Sequence, residues 1–255
     1  MKKLFWKLFN AIDERLKFPA LQKGETAIQL GFDMSAPVTS DLFLLVNRVG
    51  KNGLVIGIDP DPRNVAAAHL IVERQKYPIQ LMHKAVFNTA GTMELILGEK
   101  ASWNQLKNVP LDTTVSYNGS EVVVEMDTLD NILSQAQIDI ATIGHINVTI
   151  NGAEYFALQG MHQILSKTKN LSLTVVAGRY DDSGTINGQP DFKVIKQLLQ
   201  QYGFTTRFRR IHKLIWWGFI VNTLMKRKWI YGKKNYGIIM AAKGNKSIPW
   251  YQSFS

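Results

Sequence analysis

The sequence predicts an α/β domain built around a mostly parallel sheet, and three observations carry that expectation. Short apolar runs alternate with helical patterns along most of the chain, which implies strands joined by right-handed helical crossovers. Within residues 26–64 one run (AIQL) ends in Gly31 and a small-residue loop, and the next (LVIGI) ends in Asp59-Pro60. Such a pair places a glycine turn and then a carboxylate at neighbouring strand ends, an arrangement suited to a nucleoside. Third, a run within residues 140–150 turns through Asn151-Gly152 into another helical pattern.

Taken in order, residues 2–17 (KKLFWKLFNAIDERLK) read as a basic amphipathic helix, with apolar residues at helical spacing. The first strand is expected at about 26–30. A helix follows over about 39–49, with Thr39 or Ser40 as its cap. The second strand is expected at about 54–58, and Pro60-Asp61-Pro62 opens a helix reaching about residue 75. Residues 79–86 read as a third strand. Two further strands are expected at 92–97 and 121–125, then a short helix from Asp127 to about 135. The fourth core strand lies within 140–150, and one helix is expected over 153–166. A fifth strand (171–177), a helix (191–202), a sixth strand from 204 and a seventh at 236–242 complete the pattern.

Composition narrows the chemistry. The chain has 255 residues, 45% of them hydrophobic, enough for one large domain with a substantial core. It has no cysteine, which excludes disulfides, thiolate metal sites and cysteine nucleophiles. No apolar run reaches the roughly 18–20 residues of a membrane span, and no signal peptide is read at the N-terminus. The net charge of +10 is concentrated at one end: residues 192–255 hold 13 Lys and Arg and no Asp or Glu, leaving 17 basic against 20 acidic residues before them. A one-sided field of this kind points to an anionic partner. Within it, residues 209–235 place an apolar, tryptophan-containing core between basic clusters, suited to an interfacial segment or a substrate lid. Nucleic acid is the less favoured partner, because the basic groups bracket the apolar run instead of interleaving with Trp216, Trp217, Trp229 and Tyr231. The expected organisation is therefore a basic helix (1–20), a core (21–208), a basic apolar insertion (209–235) and a last core strand with its tail (236–255).

Ligands of an open α/β sheet sit beyond the carboxyl ends of its strands. The residues following the first strand are Gly31, Phe32, Asp33, Met34 and Ser35. They lack the second and third glycines of a dinucleotide loop, which disfavours a pyrophosphate ligand and leaves a nucleoside without phosphates. Asp59 stands where a carboxylate would meet a ribose diol; it would equally cap the helix opening at Pro60. On the fourth strand Asn147, Thr149 and Asn151 alternate onto one face, although Asn151 would equally serve as a helix cap. His145 and Glu154 are the candidate bases. The alternatives are a satisfied strand histidine for the first and a carboxylate favouring a helix N-terminus for the second.

Three segments, AIQLGFDMSAP, VIGIDPDPRN, and TLDNIL followed by HINVTINGAEYFALQGM, resemble the FkbM-type S-adenosylmethionine-dependent methyltransferases over about residues 26–205. The resemblance implies a Rossmann-like class I methyltransferase fold: a seven-stranded, mostly parallel sheet with helices on both faces. It implies S-adenosyl-L-methionine as cofactor, held by Gln29, Gly31, Asp33, Ser35, Asp59, Pro60, Asn64, Ala85 and Asn151. Catalytic residues would come from Glu154, His145, Asn147 and Thr149, with no metal. The family usually carries an acidic residue at the position of Gln29, Asn at Asp33 and glycine at Ser35. It commonly has Lys, Asp and Glu at the positions of Asn147, Thr149 and Asn151. The expected activity is O-methylation of a hydroxyl on a glycan, lipid-linked sugar or small metabolite. The expected setting is cytoplasmic, with the basic segments on an anionic membrane surface at the inner face. The same basic surfaces also suit a peripheral membrane protein that keeps the fold without the chemistry.

Overall fold

A computed structural model describes residues 17–35, 40–100, 103–107, 109, 117–178, 184–210 and 236–249. The expected N-terminal helix, the capping choice of Thr39 and nearly all of the apolar insertion lie outside the described residues.

The main sheet contains β1 (Thr26–Leu30), β2 (Leu54–Asp59), β3 (Ile79–His83), β8 (Ile143–Val148), β9 (Leu171–Ala177), β12 (Thr205–Arg210) and β13 (Gly237–Lys243). Their order is β12-β13-β9-β8-β1-β2-β3, and β10 (Thr185–Ile186) pairs antiparallel with β11 (Gln189–Pro190) in a separate hairpin. All pairings among β3, β2, β1, β8 and β9 are parallel; β13 runs antiparallel to both of its neighbours. The central strands read as continuous apolar runs because both of their faces are covered. On one face Ile28, Leu30, Ile56, Ile146 and Val148 pack with α3 (Leu129–Gln135), α4 (Glu154–Gln159), α5 (His162–Lys167) and α6 (Asp191–Gln201). On the other, Ala27 and Val55 pack with α1 (Asp41–Val49) and the start of α2 (Pro62–Gln75).

Local chemistry sets several boundaries. Asp61, not Asp59, caps α2, its carboxylate accepting from Arg63 N at 2.8 Å with Pro62 in the first turn. Thr128 caps α3 through Asn131 N. Ser40 occupies the cap position of α1 without making a side-chain cap bond.

Three expectations are corrected. Residues 79–86 are not one strand: after His83 the chain leaves the main sheet, and β4 (Ala85–Val86) pairs with β7 (Tyr117–Asp127). With β5 (Gly91–Gly98) and β6 (Gln105–Leu106) these form a separate four-stranded sheet, order β4-β7-β5-β6, over its own apolar cluster of Phe87, Met93, Leu95 and Val124. Residues 153–166 are not one helix. Asp130 enters the helical ladder: its N–H donates to the Gly160 carbonyl, while its carboxylate accepts from Gln163 N (2.7 Å) and Ile164 N (3.1 Å). The chain thus ends α4 and starts α5 around an inserted side chain. Asn151 is not a helix cap: it sits at φ 53° in the turn before α4, whose cap position is Ala153. Among the described residues no helix is long and apolar enough to cross a membrane.

Candidate active site

The chain reverses its direction of travel across the sheet between β1 and β8, and ligands of doubly wound folds bind at such a point. A cavity of about 350 Å³ opens there, at the carboxyl ends of β1, β2 and β8, with the small sheet as its far wall. That volume is within the range of small-molecule sites.

The floor is Gly31. Its φ is +70°, and a Cβ there would lie 2.3 Å from the Thr149 carbonyl oxygen, so any side chain is excluded. Asp59, 4% exposed, ends β2 and faces the cavity. Its Oδ2 accepts from Phe32 N and its Oδ1 from Asp61 N, both at 2.8 Å, and Asn64 Nδ2 approaches Oδ1 at 3.4 Å. Burial outweighs these bonds and pushes its carboxyl up to about 7. Asn64 also accepts from Met34 N, so it braces the β1 and β2 turns from behind and does not line the cavity.

Beside Gly31 lies a buried polar ladder. Asn147 Nδ2 donates to Gln29 Oε1 (2.7 Å) and Asp41 Oδ2 (3.1 Å). Gln29 Nε2 donates to the Gly31 carbonyl (2.6 Å) and to Thr149 Oγ1 (2.9 Å). Lys17 Nζ completes the ladder at Asp41 Oδ1, 2.8 Å away. Gln29, Thr149 and Asp41 reach the cavity; Asn147 acts through them.

The β8 turn forms the third side. Glu154 accepts from Ile150 N (3.1 Å) and Gly152 N (2.7 Å), tying the turn to the first residue of α4. Burial, reinforced by the nearby negative charge of Asp191, raises its carboxyl to about 7. Asn151 Nδ2 donates across the cavity rim to the carbonyl of Asn104 (2.8 Å).

Of the residues singled out in the sequence, Gln29, Gly31, Asp33, Asp59, Pro60, Ala85, Thr149, Asn151 and Glu154 line this cavity. Ser35 does not; its N–H and hydroxyl both donate to Asp33 at 2.8 Å. His145 is not brought to the site. It packs edge-on to Phe18 near the start of β8, and its Nδ1 lies 2.9 Å from the Ser172 hydroxyl, which itself donates to the Gly144 carbonyl. The histidine therefore donates to Ser172. Burial and the charges of Lys246 and Arg48 lower its pKa to about 3, so it is a neutral core histidine and not a base at the cavity.

Sequence reasoning missed several residues at the cavity, including Asp41, Lys84 and Tyr236 in its lining, and three more bear on its architecture. Ser40 lines the cavity with a buried hydroxyl that has no partner among the described residues; its position before a helix was legible, but its freedom from capping was not. Asp61 lies just behind Asp59, and the doubled Asp-Pro was its signal. Asn104 lies in a polar loop with no local pattern to mark it.

Counted along the main sheet, the strand order is 3-2-1-4-5-7-6 with only the seventh strand reversed. It is the doubly wound order with one antiparallel strand inserted before the last. The chain has the Rossmann-like class I methyltransferase fold. No protein-family model and no curated protein sequence matches it. Among solved structures it is similar to fibrillarin from Aeropyrum pernix in complex with S-adenosyl-L-methionine, at 9% identity over 92% of this chain and 74% of that one, TM-score 0.46. It is also similar to an O-methyltransferase from Bacillus cereus in complex with SAH, at 11% identity over 91% and 80%, TM-score 0.46. A third is a SAM-dependent methyltransferase from Aquifex aeolicus, at 14% identity over 91% and 97%, TM-score 0.40.

Proposed function

We propose that this protein is an S-adenosyl-L-methionine-dependent methyltransferase of the FkbM type that methylates a hydroxyl group of a glycan, lipid-linked sugar or small metabolite. The observation that carries the reading is the buried Asp59 carboxyl at the end of β2, facing a cavity floored by side-chain-free Gly31 at the switch point of the sheet.

The residues present fit the cofactor. Asp59 would take the ribose hydroxyls, with Ala85 and Val86 beside the base. The hydroxyl of Ser40, without a partner among the described residues, stands at the N-terminus of α1, where unsatisfied N–H groups favour a carboxylate. Asp33 supplies negative charge for an ammonium group at the same end. When bound, the cofactor supplies an electrophilic methyl group on a sulfonium. The protein must hold an acceptor oxygen in line with it and receive the hydroxyl proton. Glu154 is the group for that proton: it lines the cavity, and burial raises its carboxyl to about 7.

The departures from the family pattern support a coordinated change. Gln29, Asn147 and Thr149 belong to one hydrogen-bonded ladder, so a charged set has been exchanged for a neutral one with every amide paired. Calorimetric titration of the purified protein with S-adenosyl-L-methionine tests the reading. Saturable binding that is weakened in D59N is expected, and a folded protein that shows no heat of binding would overturn it.

A further inference from the structure

Asn104 stands just before β6 in the small sheet, 8% exposed, and its amide and carbonyl join three elements around the cavity. Its Nδ2 donates to Asp61 Oδ2, and its Oδ1 accepts from Gly98 N (2.9 Å) and Arg63 Nη2 (3.3 Å). Its backbone carbonyl accepts from Asn151 Nδ2 (2.8 Å). Asp61 is itself fully buried, caps α2, and donates its N–H to Asp59 Oδ1. One residue of the small sheet is therefore bonded to the turn that presents Asp59 and to the turn that presents Thr149 and Asn151.

We infer that Asn104 is a positioning residue for the cofactor, a clamp that holds the small sheet closed over the cavity by tying Asp61 on one side to Asn151 on the other. The inference rests on the cofactor reading above. Its chemistry requires a donor at Nδ2, because the facing atom is a carboxylate oxygen already engaged by Arg63 (2.7 Å). The Gly98 bond closes the turn that aims the amide, and a Cβ on Gly98 would lie 2.6 Å from Trp103 Cβ, so that turn admits no side chain there. Every polar atom of the Asn104 side chain is used within the protein. Its contribution to binding is therefore through the walls it holds, not through contact with the cofactor.

Isothermal titration with S-adenosylhomocysteine, on the full chain, tests this alongside thermal unfolding without ligand. N104D turns the donor into a second carboxylate against Asp61. It should weaken binding about tenfold or more, the scale of one unsatisfied buried partner. The exchange D61N/N104D restores one donor and one acceptor, keeps a capping residue at 61 and leaves a carboxylate for Arg63. It should recover affinity to within about threefold of wild type. N104D binding as wild type does, or a double variant no better than N104D, would overturn the inference. So would variants that lose thermal stability while keeping wild-type affinity, which would mark a brace with no part in binding. Wild-type protein that fails to bind S-adenosylhomocysteine would instead sink the cofactor reading itself.

Discussion

At the scale of single residues, the site is defined by what its neighbours forbid or demand. Gly31 is required by a positive φ and by a carbonyl 2.3 Å from where a Cβ would be. Asp59 is held by two backbone N–H groups at the end of a buried strand, so its carboxylate cannot turn away from the cavity. Its raised pKa gives a sign to the cofactor's affinity. Ribose hydroxyls donate best to the ionised form, so S-adenosylhomocysteine should bind more tightly as pH rises through about 7 and more weakly below it. D59N should reduce affinity about 10- to 100-fold, the range for a lost charge-assisted bond. It should also flatten the dependence near pH 7, and calorimetry at pH 6 and pH 8 would show both. Gly31 and Asp59 were legible from the sequence because strand ends are marked by glycine and proline. His145 misled because a histidine on a strand carries no sign of which end of the sheet it occupies; register alone sets it opposite Ala27 and Ser172, away from the ligand end.

At the scale of elements, the polar ladder between β1, β8 and α1 is the feature that substitution would expose. Q29E would place a buried carboxylate beside Asp41 and the Gly31 carbonyl, and should cost about 3 kcal/mol or more in urea unfolding. Adding N147K should recover more than half of that loss, because the ammonium would sit where Asn147 now bridges positions 29 and 41, both of them acidic once Q29E is made. An additive double variant would show that the two positions do not act as a unit. The broken helix makes a second case. D130A removes the carboxylate that caps α5, and about 1–2 kcal/mol of stability should go with it. Far-ultraviolet circular dichroism and urea titration would read that loss. Periodicity could not reveal the break, because residues 153–166 keep helical spacing while the interruption comes from a side chain more than twenty residues earlier.

At the scale of the whole molecule, buried titratable groups govern how stability responds to pH. Asp59 and Glu154 have pKa values raised to about 7, so the folded state holds their protons longer than the unfolded chain does. Each contributes stability fully below its unfolded value near 4, and that contribution is lost as pH rises towards 7. His145, lowered to about 3, acts oppositely: the unfolded chain takes its proton below about 6.5, and stability falls as pH drops from there towards 3. Two carboxyls against one imidazole leave a net loss of thermal stability as pH rises from about 5 to 7 in the ligand-free protein. D59N/E154Q should reverse that slope, and H145N should steepen it. Melting temperatures across this range measure both, and a flat wild-type profile would contradict the assignment.

The sequence by itself determined the order of the main-sheet strands along the chain, its mostly parallel character, the glycine turn and the carboxylate at its neighbour, because these depend on local periodicity and on backbone demands that only certain residues meet. Tertiary structure decided which of the marked residues meet. It sent the chain after His83 into a second sheet, since β4 finds its partner in a strand some forty residues later. It turned His145 into core, and it brought Asn104 from an unmarked loop between Asp61 and Asn151. Those outcomes rest on pairings between segments far apart in the chain, and no local pattern of side chains encodes the partner at the other end of such a bond.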